Sequence, residues 1–183
     1  MGAELYFLAT EFTARPDDAL KAIQEQFLDT YDLPAMLAAQ LAECRRLIEK
    51  IPEGDAHGLH AHYQESLGEL EAIASQPMPS DFSGRVSLVR KLHADTGEGV
   101  GNILDVEGIS GEPNAGWTAA TRLLPNDLQQ KCGHEKILTR DAEATAIKIH
   151  EWLGRGECVF FPLHNDADDE EPAKWCFVAN TFD

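Results

Sequence analysis

Three histidines fall within six residues in His57-Gly58-Leu59-His60-Ala61-His62, a density that suits a shared metal ion. The surrounding residues argue against it. Asp55 can cap a helix whose apolar stripe is Leu59, Tyr63, Leu67 and Leu70, and at 100° per residue His60 and His62 then point about 160° apart while His57 looks away. His62 with Glu65 or Glu69 is the remaining helical pair. No metal and no cofactor are expected.

Two other short motifs carry chemical possibilities. Asp95-Thr96-Gly97 matches the triplet that bears the catalytic carboxylate in aspartic proteases, where paired carboxylates share a proton to activate water. The chain has no second such triplet, so that chemistry would require a symmetric dimer. The adjacent Gly97-Glu98-Gly99-Val100-Gly101 lacks the G-x-x-x-x-G-K-[ST] pattern of a phosphate loop and reads as a turn. Cys132-Gly133-His134-Glu135 sets a thiol, an imidazole and a carboxylate side by side, but a working Cys and His usually come from separate elements. Cys132 with His164 or His150 is the better-spread set. The simpler role for Cys132 is a small apolar residue before a helix-capping glycine.

The third candidate is electrostatic. Asp166, Asp168, Asp169, Glu170 and Glu171 place five carboxylates in six residues, between two apolar runs, Cys158 to Leu163 and Lys174 to Thr181. The segment lacks the Gly at position six and the Glu at position twelve of an EF-hand, so calcium is not the expected ligand. Carboxylates crowded on a hairpin loop repel one another and concentrate negative potential, which suits docking of a basic surface. A plain solvated loop tip is the competing reading.

Composition sets the wider limits. Over 183 residues, 43% are apolar and 26% charged, the usage of an ordinary folded domain of this length. The net charge of −17 repels nucleic-acid phosphates and anionic lipid and steers basic partners inward, so nucleic acid and membrane are not expected as partners. The beginning Met1-Gly2-Ala3-Glu4-Leu5-Tyr6 has neither the basic nor the apolar region of a secretory signal, and a cytoplasmic protein is expected. Cys44, Cys132, Cys158 and Cys176 form no C-x-x-C pair. Pairing the last two strands symmetrically about their loop sets Cys176 near Phe161 rather than Cys158, so reduced thiols are expected.

The elements that must position these residues follow from periodicity. Glu4 to Thr10 reads as a strand with Leu5, Phe7 and Ala9 on one face and Tyr6 and Leu8 on the other. Pro16 opens a helix with Asp17 and Asp18 complementing its dipole in the first turn, after which Leu20, Ile23, Phe27 and Tyr31 fall at helical spacing. Asp32-Leu33-Pro34 starts a second, whose stripe is Leu37, Leu41, Cys44, Ile48 and Ile51. With the helix after Asp55 it makes a helical hairpin. Pro77 to Asp81 is a loop. Arg85 to Leu92 fits either a strand or a short helix, Ile103 to Val106 reads as a strand, and Trp117 to Leu124 is ambiguous. Ala142, Ala146, Ile149 and Leu153 mark a last helix ending at Gly154 or Gly156, before the two closing strands.

The expectation is an α+β fold: a single domain over 1–183, helix-rich at 12–76 and strand-rich at 84–183, with a loop near 77–83. Its helical hairpin region packs on a mixed or antiparallel sheet formed by the N-terminal strand and the C-terminal half. Functionally, the residues favour an acidic cytoplasmic binding protein, for instance an inhibitor or immunity-type partner that covers a basic protein. A hydrolytic enzyme using a Cys/His or His/carboxylate site is the alternative, and a housekeeping protein whose acidity reflects habitat is a third. One acidic face separates the first from the third, and a cleft with perturbed His or Cys would mark the second.

Overall fold

The structure, a computed structural model, describes residues 5–93, 102–110, 119–154 and 156–180. The Asp95-Thr96-Gly97 triplet and the Gly97–Gly101 turn lie outside them. By its contacts the chain divides into two compact units, one of residues 1–27 and 96–183 and one of residues 28–95. The fold is α+β, and the sheet belongs to the first unit.

Six strands are seen among the described residues: β1 (Leu5–Glu11), β2 (Gly108–Ser110), β3 (Ala119–Arg122), β4 (Ile137–Leu138), β5 (Cys158–His164) and β6 (Lys174–Asn180). They form a mixed sheet in the order β1-β6-β5-β3-β2, with β4 also on β5. β1 pairs antiparallel with β6, Phe7 opposite Val178, so the first strand does find its partner at the other end of the chain. β5 and β6 form the expected antiparallel hairpin, with Phe161 opposite Cys176. β2, β3 and β4 add in parallel.

One edge of β5 is shared. β3 pairs with Cys158 to Phe160, and β4 pairs with Leu163 and His164. Backbone groups of Phe160, Pro162 and His164 point toward that edge, because alternate residues of a strand do so. Phe160 O accepts from Leu123 N at 2.9 Å, and His164 O accepts from the Thr139 hydroxyl at 3.1 Å. Pro162 falls in the gap where β3 has left and β4 has not arrived, so its missing N–H breaks no ladder bond.

Both faces of the sheet are covered. On one, Val159, Phe161, Leu163, Cys176 and Val178 pack with Ala146 and Ile149 of α6 (Ala142–His150), and with Leu128 and Cys132 of α5 (Pro125–Cys132). On the other, Phe160, Trp175 and Phe177 pack with Leu20 and Ile23 of α1 (Pro16–Leu28) and with Ile103 and Val106. Alternation along β5 and β6 divides these residues between the two cores, which is why both strands read as continuous apolar runs.

The Ile103–Val106 expectation needs correction. Ile103–Asp105 is a 3-10 turn rather than a strand. Asn102 caps it, accepting from Leu104 N at 2.9 Å, and the buried Gln24 of α1 donates to Ile103 O at 3.0 Å and Val106 O at 2.6 Å. Carbonyls claimed by a side chain are removed from any ladder. Trp175 likewise donates through Nε1 to Thr13 O at 2.9 Å, tying β6 to the turn after β1.

The second unit is helical among its described residues: α2 (Leu33–Lys50), α3 (Leu59–Ala74) and α4 (Phe82–His93). Asp32 caps α2, its Oδ1 accepting from Ala35 N at 3.1 Å, with Pro34 in the first turn. The ambiguous run from Arg85 is the helix α4, begun by Asp81, whose carboxylate accepts from Gly84 N at 2.9 Å. α2 and α3 form the predicted hairpin, bridged by Arg45 and Glu71 at 2.9 Å.

Candidate functional site

Asp55 organises the histidine cluster. Its carboxylate accepts from His60 N at 2.9 Å and from His57 N and Leu59 N at 3.1 Å, which holds its pKa below the ordinary carboxyl range. The helix therefore begins at Leu59, leaving His57 in the turn before it. His60 is buried at 8% exposure, His62 is exposed beside the Tyr63 ring, and Leu59, expected in the stripe, is 42% exposed. His60 takes the interior place in the first turn instead. Among the described residues no three His, Cys, Asp or Glu side chains are grouped to hold a metal ion.

Cys132 ends α5, and Gly133 follows with φ 88°, the left-handed helix cap that the glycine suggested. Burial raises the Cys132 thiol above its ordinary value, although Lys148 and Lys131 pull the other way, so it is held as the thiol rather than the nucleophilic thiolate. Cys132 and Leu163 share the α6 side of the sheet. Strand alternation turns His164 to the opposite face, so the Cys132 and His164 set is not brought together. His150 closes α6, whose neighbour is α5; its Nε2 is buried with no hydrogen-bond partner.

Along the sequence His164 suggests only a partner for Cys132, and its position at the end of β5 is more distinctive. It is 5% exposed, and its Nδ1 has no hydrogen-bond partner. On the same face, at the end of β3, Arg122 lies 5.5 Å over the Trp175 ring, with Phe12 stacked on Trp175 at 4.9 Å. Nothing in the sequence pointed to Arg122, because the pairing is made across β5.

The acidic loop springs from His164 and returns to β6. Asp166, Asp168, Glu170 and Glu171 are exposed and Asp169 is half-buried. The carboxylates do not play equal parts. Asp169 Oδ2 accepts from Asp166 N at 3.0 Å, and Asp169 N donates to Asp166 O at 3.3 Å, closing the turn. Lys136, just before β4, donates to Asp169 O at 2.9 Å and Ala167 O at 3.3 Å, carbonyls rather than carboxylates. Among the described residues, none of the five carboxylates has an ion-pair partner. In the helical unit, by contrast, Glu69 meets Lys91 at 2.9 Å, Glu71 meets Arg45 and Asp29 meets Arg85 at 3.0 Å.

No helix of the described residues is long and apolar enough to cross a membrane. Comparison with protein-family models, with curated proteins and with solved structures finds no match.

Proposed function

We propose that the chain is an acidic binding protein whose β5–β6 loop docks on a basic surface of another protein, in the manner of an inhibitor or immunity-type partner. The supporting observation is the uncompensated charge: Asp166, Asp168, Glu170 and Glu171 stand exposed on a hydrogen-bonded loop rooted in the central hairpin, with no cation of the described residues paired to them. Charges on a fixed base act directionally and speed encounter more than they deepen affinity. Asp169 belongs to the loop's own turn and serves the docking surface only by shaping it.

The test begins with capture from the native host at low salt on the immobilised chain, followed by stopped-flow association of the captured basic protein. Changing Asp166 and Asp168 to Asn and Glu170 and Glu171 to Gln, with Asp169 kept, should leave thermal stability nearly unchanged and slow association about tenfold or more at low salt. The loss should shrink near physiological ionic strength, where screening acts within about 8 Å. An unchanged association rate at every salt concentration would remove the loop from the interface.

A further inference from the structure

We infer that Lys136 is a latch on the acidic loop, and that neutralising its ammonium releases the loop from its closed conformation. Five carboxylates in six residues oppose the compact turn they occupy. The turn has two internal bonds, between Asp166 and Asp169, and its one cationic contact among the described residues is Lys136, which reaches across from a segment some thirty residues away to two carbonyls of the loop backbone. The root of the latch is rigid. Ile137, the next residue, is buried in the core and pairs with Leu163, and Thr139 binds His164 O at the base of the loop.

The ammonium therefore works twice: it binds carbonyl oxygens directly, and it sets a positive charge within the field of carboxylates that no other described cation pairs with. Lys136 is itself exposed, so a change of charge there needs no unfolding. Loss of that charge, the change that acylation brings to a lysine, leaves the repulsion opposed by the turn's two internal bonds alone among the described contacts. The device deepens the docking reading, since the latched loop is the one that presents Asp166, Asp168, Glu170 and Glu171 together. Its test needs no partner and stands or falls apart from docking.

Amide exchange is followed in the isolated chain for the native protein, Lys136→Met and Lys136→Arg. Lys136→Met should raise exchange at the Asp166 and Asp169 amides about tenfold to a hundredfold at low salt, the range expected for losing hydrogen bonds to a charged donor. The Ala173 amide, bonded to Leu163 O at 2.8 Å, should stay protected. Lys136→Arg should keep the protection. Salt at about 1 M, where screening acts within about 3 Å, should restore part of what Lys136→Met loses. Unchanged exchange at Asp166 and Asp169 in Lys136→Met overturns the latch, and so does an equal rise in Lys136→Arg or a rise that spreads to the amides of β5 and β6.

Discussion

Phe161 stands directly opposite Cys176 across the β5–β6 hairpin, and this register sets Cys158 against Ala179. The two cysteines of the hairpin consequently lie on opposite faces: Cys176 packs with Phe161 and Ile149, and Cys158 with Phe160 and Phe177. A disulfide needs Cβ atoms about 3.8 Å apart and aimed at each other, which a sheet between them forbids. Both hairpin thiols also ionise with difficulty. Burial pushes Cys158 up to about 12, and burial with the neighbouring Cys158 raises Cys176 as well.

The first prediction concerns those thiols. No disulfide joins Cys44, Cys132, Cys158 or Cys176, and all four are buried. Titration with a thiol reagent in denaturant without reductant should return four groups per chain, whereas the native protein at neutral pH should react slowly at every one. A count of two in denaturant would overturn the prediction, and a Cys158–Cys176 pair would contradict the hairpin register as well.

A second prediction concerns Gln24, the buried side chain that joins α1 to the 3-10 turn. Changing Gln24 to Leu keeps apolar volume near the site but removes the buried donor that Ile103 O and Val106 O accept from at 3.0 Å and 2.6 Å, leaving Ile103 O the Val106 N–H at 3.2 Å. Each lost hydrogen bond costs about 0.5–1.5 kcal/mol. Urea unfolding should show the midpoint lowered with the slope kept. A Gln24→Leu protein as stable as the native one would mean that those carbonyls find other donors.

The third concerns acid. Asp55 is held below its ordinary value, chiefly by the His60 N–H, with Leu59 and His57 adding to it and burial opposing. A carboxyl whose folded pKa is depressed contributes fully above the unfolded value and loses its contribution as pH falls through the lower, folded one. The cap should therefore hold at neutral pH and open only below the ordinary carboxyl range near 3.8. Amide resonances of His57, Leu59 and His60 should move together with a single midpoint under that value. Asp55→Ala should abolish the transition and expose these amides to exchange at neutral pH, while α2 keeps its protection. A midpoint at or above the ordinary value would remove Asp55 from the cap.

Much of the architecture is local and could be read along the chain. Pro16 and Asp32 mark helix starts because a missing N–H and a side-chain acceptor act within one turn, and the Leu37 to Ile51 stripe needs only the helical repeat. The hairpin register follows from loop symmetry. The acidic cluster is visible as composition.

What tertiary structure decided involves partners distant in sequence. Ile103 to Val106 is an apolar run that a strand or a turn accommodates equally, and it became a turn because Gln24, some eighty residues earlier, binds its carbonyls. α5 has only Leu128 and Cys132 on its buried side, too short a stripe to announce a helix. β4 is two residues long and exists because the edge of β5 beyond Pro162 was left open. His60 turned inward since Asp55 bound three amides and started the helix late. The charge of the acidic loop was written in adjacent residues, but its conformation depends on Lys136, and a contact between segments thirty residues apart exists only once β4 has joined β5 and brought the ammonium to the loop.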